Sequence, residues 1–213
     1  MKYKAVLFDM DGIIFNTEPI GVNANIYAAK EQGYDMLREV SLKTLGQTAK
    51  RSMEIIQLSY PNIDADKFQE DYDYYMDTTT AENVPFMPFA LETINLVHEK
   101  NLLCGLCSSN SKQRIMRYLK ISDMLDFFDA IVTGDDGAKS KPAPDMYLLL
   151  AKKLSVEPES CLVLEDSPAG IKAAHFANMD AYMVPDLIPY DNSLAPFTKG
   201  VLKDLKQAMS LLS

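Results

Sequence analysis

Ala5-Val6-Leu7-Phe8-Asp9-Met10-Asp11-Gly12 is the stretch on which the reading of this chain turns. Four apolar residues, rich in branched and aromatic types, run between a charged flank and a glycine. Such a run reads as a strand buried on both faces, as in a parallel sheet. Side chains alternate along a strand, so Asp9 and Asp11 fall on one side and Met10 on the other. Two neighbouring carboxylates at a strand's carboxyl end are costly unless something positive joins them. In open α/β sheets, that end is also where ligands bind. The chain therefore opens on a candidate metal and catalytic site.

The rest of the sequence supplies the sheet. From Pro85 onward, helical and strand patterns alternate: helix 89–100, strand 102–107, helix 111–120, strand 130–133, helix 144–154, strand 161–164, helix 168–178, strand 181–184 and a closing helix 201–212. Ser167-Pro168 offers a capping hydroxyl followed by proline at the first helical position. Asn178 suits the left-handed residue that ends that helix. This alternation predicts a doubly wound, Rossmann-like parallel sheet with helices on both faces. Residues 18 to 83 hold no convincing strand, and their apolar residues recur at helical spacing. The expected organisation is a core of residues 1–15 and 84–213 with an all-helical insert at 16–83.

Composition narrows the function. The 213 residues carry a formal charge of -9, which argues against a nucleic-acid partner, since that needs a basic face. A local cation can still bring an anionic substrate to one site. The first twenty residues show no signal peptide, and no apolar run approaches the roughly 18 residues of a membrane span. Three cysteines, an odd and low count, fit a reducing cytoplasm. Cys104-Gly105-Leu106-Cys107 is formally a CxxC. It lies inside a strand, where its cysteines face opposite sides, so it reads as core and not as a redox or zinc pair. A monomer or weak dimer is expected.

Three other strands end in polar residues: Ser108-Ser109-Asn110, Gly134-Asp135-Asp136, and Glu165-Asp166-Ser167. Lys139 and Lys141 follow the second. In a parallel sheet these ends converge on Asp9 and Asp11, gathering up to four carboxylates, a hydroxyl and a lysine. Such oxygen ligands suit Mg²⁺. Lys139 reads as a surface residue, and the basic set Lys112, Arg114, Arg117 and Lys120 as a solvated helix face. Tyr72, Tyr74 and Tyr75 read as packing within the insert, and His98 and His175 as structural residues.

Asp9-Met10-Asp11-Gly12, Ser108, Lys141-Pro142-Ala143-Pro144-Asp145 and Glu165-Asp166-Ser167-Pro168-Ala169-Gly170 occur in that order. In this the chain resembles the haloacid dehalogenase superfamily, in the branch with a helical cap after the first strand, which includes sugar-phosphate phosphatases and β-phosphoglucomutase. The resemblance implies a Mg²⁺-dependent phosphatase acting on a small phosphorylated metabolite. Asp9 would be the nucleophile that becomes an aspartyl-phosphate, and Asp11 the proton donor and acceptor. Ser108 and Lys141 would bind the phosphoryl group; Ser109 and Asn110, which follow Ser108, read either as substrate contacts or as caps of the next helix. Asp9, Asp11 through its backbone carbonyl, Glu165 and Asp166 would hold the metal. Asp11 argues against dehalogenation, because a halide leaves without a proton. A phosphosugar mutase is the alternative. Its relatives carry a histidine and a cap arginine; Gly21 stands near the first position here and Ala49 near the second with Gly46 as anchor, while Lys50 and Arg51 lie close enough for a shifted register to restore the cation. A non-catalytic phosphoacceptor switch is a remoter alternative, because such domains have no helical insert.

Overall fold

The computed structural model describes residues 2–212. In chain order the elements are β1 Ala5–Phe8, α1 Glu18–Glu31, α2 Arg38–Leu42, α3 Ala49–Ser59, α4 Ala65–Thr79, α5 Ala90–Glu99, β2 Leu103–Cys107, α6 Lys112–Ile121, β3 Ala130–Val132, α7 Asp145–Leu154, β4 Cys161–Glu165, α8 Pro168–Phe176, β5 Asp180–Met183, β6 Gly200–Val201 and α9 Leu205–Ala208. The chain divides into two compact units, residues 1–16 with 85–213, and residues 17–84.

The first unit is built on a six-stranded sheet of order β3-β2-β1-β4-β5-β6 in which every neighbouring pair is parallel. β1 lies between β2 and β4, with Leu7 opposite Gly105 on one side and Val163 on the other. All four of its residues are fully buried, which is why its sequence is continuously apolar and not alternating. Ala5, Leu7, Cys107 and Val163 pack with residues of α7 and α8 on one face. Cys104, three positions before Cys107, takes the other face of β2 by strand parity. There α5 packs on β2 and on α9, and Thr93 Oγ1 donates to Leu205 O at 3.3 Å. Strand order reverses between β1's two neighbours, so the carboxyl end of β1 sits at the switch point of a doubly wound, Rossmann-like fold.

After β1 the backbone folds tightly, with Ile14 N donating to Met10 O and Gly12 N to Phe15 O, both at 2.9 Å. Ile14 to Asn16 then run beside residues 85–87, where Met87 N donates to Ile14 O at 2.8 Å and Asn16 N to Pro85 O at 2.7 Å. At the other end of the chain, the structure corrects the expected helix 201–212. Gly200–Val201 instead adds an edge strand, α9 begins only at Leu205, and a 3₁₀ turn completes it. Asp204 is the reason for the later start, because its side chain accepts from Gln207 N and caps α9.

The second unit is all helical. Its core is Ala28, Ala29, Met36, Val40, Ile56, Ile63 and Phe68, with Tyr72 packed against it. Tyr27 and Tyr75 stack with ring centroids 5.2 Å apart, whereas Tyr74 is largely exposed. Asp64 caps α4 by accepting from Asp66 N and Lys67 N, both at 3.0 Å. Asn25 on α1 is buried, and its amide donates to Ser41 Oγ at 3.1 Å and Thr44 Oγ1 at 3.0 Å. Ser41 in turn donates to Val22 O at 3.0 Å.

This buried network leads to a local prediction. Asn25→Ala should cost about 1–3 kcal/mol by stripping a donor from two buried hydroxyls. Amide exchange should accelerate first in α1 and α2. Unchanged protection there would show that the network contributes nothing to this unit.

Candidate active site

Asp9 stands one residue beyond β1, and its backbone N–H donates to Leu164 O at 3.1 Å, continuing the ladder to β4. Its side chain points at Lys141, whose Nζ lies 2.5 Å from Asp9 Oδ1, 2.6 Å from Glu165 Oε1 and 3.1 Å from Cys107 O. Lys141 thus fills its three donor positions on three different chain segments. Its side chain is only 5% exposed, so the ammonium belongs to the interior and is not a surface cation.

Glu165 is fully buried, and its carboxylate is held from several sides. Oε1 accepts from Lys141 and from Tyr147 Oη at 3.0 Å, and Oε2 accepts from Ser167 N and Ser167 Oγ, both at 3.0 Å. The Tyr147 ring also lies under Lys141 Nζ, 4.8 Å from ring centre to nitrogen. Both oxygens that the sequence offered as metal ligands are therefore engaged by protein donors, and Glu165 acts here as the anchor of Lys141. Gly170 makes this possible. A Cβ at that position would lie 1.7 Å from Glu165 Oε1, so the carboxylate occupies the space a side chain would need.

Asp166, next in sequence, is buried beside Gly12. Gly12 has φ +72, and a Cβ on it would come within 2.5 Å of Asp166 Oδ2. The first loop therefore depends on glycine both for its backbone conformation and for the approach of a carboxylate. Asp11 is turned toward the end of β2. Its Oδ2 accepts from Asn110 Nδ2 at 2.6 Å and lies 3.5 Å from Ser108 Oγ. Ser108 is buried, whereas Ser109 is exposed, with its hydroxyl 4.0 Å from Met146 Sδ. The structure thus brings Asp9, Asp11, Ser108, Asn110, Lys141, Glu165 and Asp166 to one end of the sheet and leaves Ser109 at the rim. Lys139 is exposed. Sequence reasoning did not single out Tyr147, and it placed Arg114 on a solvated face although its Nη1 lies 3.5 Å from Asn110 Oδ1.

The electrostatics follow from burial. Burial pushes the Asp9 carboxyl well above its ordinary value. Lys141 opposes that rise, and the negative charges of Glu165 and Asp11 add to it. For Lys141, burial works against the charged form, but Asp9 and Glu165 together outweigh it and hold the ammonium well above its usual range. Burial also drives the Tyr147 hydroxyl well up, so it remains a donor. The cysteines are equally unreactive, with burial pushing the Cys107 thiol up to about 12. His98 Nε2 lies 3.0 Å from Phe127 O, and His175 packs edge-on against Phe197, both away from this cluster.

A buried lysine and several carboxylates at the switch point of a doubly wound sheet stand where α/β proteins bind their ligands. The profile of the haloacid dehalogenase-like hydrolases matches residues 6–184, so the chain belongs to that family. Hexitol phosphatase B of Escherichia coli K12 is 31% identical over 213 residues, covering 94% of this chain and 96% of that protein. A phosphorylated carbohydrates phosphatase of Thermotoga maritima is 28% identical over 178 residues, 83% of this chain and 82% of its own. Among solved structures, a β-phosphoglucomutase from Clostridium difficile superimposes with a TM-score of 0.79 at 25% identity, covering 96% of this chain and 92% of that one. Like these relatives, the chain is an enzyme of the hydrolase family. Among the described residues no helix is long and apolar enough to cross a membrane.

Two outcomes follow from the charge arrangement. A carboxyl raised above its ordinary 3.8 binds its proton more tightly in the folded state, so metal-free protein should lose stability as pH rises above that value. Asp9→Asn lacks this component. In chelator its melting temperature should exceed that of the wild type by about 2–4 °C near neutrality, with a gap that widens as pH rises. A gap that is constant with pH would refute the assignment. Gly170→Ala forces Glu165 from its seat and should lower stability by about 2–4 kcal/mol in chemical denaturation. A loss under about 0.5 kcal/mol, the scale of an ordinary surface change, would mean that the carboxylate is not confined there.

Proposed function

We propose that this enzyme hydrolyses small phosphate monoesters, with sugar phosphates as the substrate class, through an aspartyl-phosphate on Asp9. The observation that carries this reading is the Lys141 ammonium, 2.5 Å from Asp9 Oδ1 and buried among carboxylates. An anionic nucleophile must approach an anionic phosphate, and two unit charges about 4 Å apart repel by about 4 kcal/mol at an effective dielectric of ~20. Positive charge fixed beside the nucleophile turns that repulsion into transition-state stabilisation. The names of the phosphatase relatives support a phosphorylated carbohydrate as substrate.

The donor set fits Mg²⁺. Asp9, Asp166 and the backbone carbonyl of Asp11 would hold it, with Glu165 near enough in sequence to assist but committed to Lys141. Among the described residues no three acidic, histidine or cysteine side chains form a closed metal cage. Mg²⁺ commonly takes one or two carboxylates and keeps several waters, so an open set is what it uses. Asp9, Asp11, Glu165 and Asp166 place four carboxylates at this end of the sheet, a donor chemistry suited to a hard cation. When bound, Mg²⁺ would supply charge neutralisation at the phosphoryl oxygens.

The protein's own steps then balance. An oxygen of Asp9 attacks phosphorus while the ester P–O bond breaks, and the leaving alkoxide takes a proton from Asp11. Asp11, now a carboxylate, takes a proton from water, whose oxygen attacks phosphorus and releases inorganic phosphate and Asp9. Ser108 Oγ, at the end of β2, would donate to a phosphoryl oxygen. The helical unit, residues 17–84, would select the substrate.

The test is phosphate release from a panel of hexitol, hexose and fructose phosphates, with Mg²⁺ and with EDTA. Mg²⁺-dependent release is expected, and Asp9→Asn should lower it by more than about a thousandfold. Undiminished turnover by that variant would overturn the mechanism. Conversion of β-glucose 1-phosphate to glucose 6-phosphate without phosphate release would make the enzyme a mutase.

A further inference from the structure

Asn110 follows β2 by three residues, and its side chain is placed by contacts on both ends of the amide. Nδ2 donates to Asp11 Oδ2 at 2.6 Å and lies 3.4 Å from Ser108 Oγ. On the other side, Arg114 Nη1 lies 3.5 Å from Asn110 Oδ1. A guanidinium only donates, and an ionised carboxylate only accepts. The amide can satisfy both neighbours in one orientation alone, with oxygen toward Arg114 and nitrogen toward Asp11. The backbone beneath is fixed as well. Gly134 N donates to Asn110 O at 2.8 Å, Asn110 N donates to Ser108 Oγ at 3.2 Å, and Ser111 Oγ caps α6 by accepting from Arg114 N at 3.3 Å. α6 therefore begins with Arg114 one turn along, where its side chain reaches back to the amide.

We propose that Asn110 is a positioning residue for the proton donor. It holds Asp11 Oδ2 by a hydrogen bond and so sets the orientation of the carboxyl group at the end of β1. This rests on the reading of Asp11 as the acid and base. The proposal gives Asn110 a different task from the phosphate contact suggested by its neighbour Ser108. An aspartate beyond the end of a strand has two side-chain torsions to fix, and proton transfer requires hydrogen-bond reach and alignment to the leaving oxygen. Fixing one carboxylate oxygen fixes the plane of the other. Arg114 polarises the amide from behind, which strengthens the bond to Asp11.

A residue that works through the acid matters most where the leaving group needs a proton. Phenyl phosphate and p-nitrophenyl phosphate share the phosphoryl group and differ in that need, since nitrophenolate departs readily unprotonated. Asn110→Ala should lower kcat for phenyl phosphate about tenfold more than for p-nitrophenyl phosphate, the scale of one hydrogen bond. In an Asp11→Asn background, the same substitution should cost less than about twofold further on phenyl phosphate, because the group it positions has lost its function. If the alanine variant fails to fold by circular dichroism, Asn110→Ser serves for the same comparison.

Equal losses on both esters, carried mainly in KM, would overturn the proposal and make Asn110 a phosphate ligand. A full tenfold loss in the Asp11→Asn background would overturn it too, since Asn110 would then act without Asp11. The control separates this from the underlying reading. If Asp11→Asn alone loses equally on both esters in kcat/KM, which reports the step that expels the leaving group and not the shared hydrolysis that follows, the acid role of Asp11 has failed, and the proposal with it. If Asp11→Asn discriminates between the esters and Asn110→Ala does not, only the proposal fails.

Discussion

A single buried ammonium, Lys141 between Asp9 and Glu165, is the constraint on which the rest of this site depends. Its side chain is 5% exposed and that of Glu165 is 0% exposed, so neither charge can fall back on water if the other is removed. Desolvating such groups is expensive, and removing one member of a buried pair leaves the other uncompensated. The surrounding sequence supports the arrangement. Tyr147 gives Glu165 a hydroxyl donor and gives Lys141 an aromatic face. Ser167 donates to Glu165 through both its backbone N–H and its hydroxyl. The same hydroxyl accepts from Gly170 N at 3.1 Å as the cap of α8. The start of a structural helix and the charge beside Asp9 are therefore one hydrogen-bonded unit, and a fault in either reaches the other.

Much of this was legible in the chain. Buried strands in a parallel sheet must be apolar along their whole length, so Ala5–Phe8 and Cys161–Leu164 announced themselves, and the polar residues after each marked the crevice. The cap of α8 was readable from Ser167-Pro168 and its end from Asn178, which has φ 62. The edge strand Gly200–Val201 was not, because two residues carry no periodicity and their neighbours suit a helix. Tyr147 was hidden for a different reason. It sits on α7 among Met146, Leu150 and Ala151, where an aromatic at helical spacing reads as core, and only its hydroxyl distinguishes it.

Glu165 and Asp166 show where a pattern carries more information than was drawn from it. They are adjacent at a strand end, so parity sends them to different sides, and both cannot face the crevice in the same way. Composition counts two carboxylates, whereas alternation gives them two jobs. One reaches down to Lys141, Tyr147 and Ser167. The other lies against Gly12, whose missing side chain leaves room for it. Arg114 was likewise read from its own helix alone. Its use depends on how the loop after β2 is folded, and that is set by Gly134 and Asp135 from the loop after β3: Lys112 N donates to Asp135 Oδ2 at 2.7 Å.

The topology explains why two carboxylates so close in sequence can be held apart in character. β1 is central, with β2 on one side and β4 on the other, so the residues beyond it can be engaged from both directions. Asp9 is engaged by Lys141, which Glu165 anchors from the β4 side. Asp11 is engaged by Asn110 and Ser108 from the β2 side. One carboxylate is paired with a full charge. The other accepts from the Asn110 amide, whose oxygen lies 3.5 Å from Arg114 Nη1. The ammonium beside Asp9 opposes the rise that burial imposes on that carboxyl, and the amide beside Asp11 fixes the direction in which its side chain points. An edge strand could not offer this division, because it has a neighbour on one side only. The switch point serves here as more than a crevice: it gives each of two adjacent acids its own supporting neighbours.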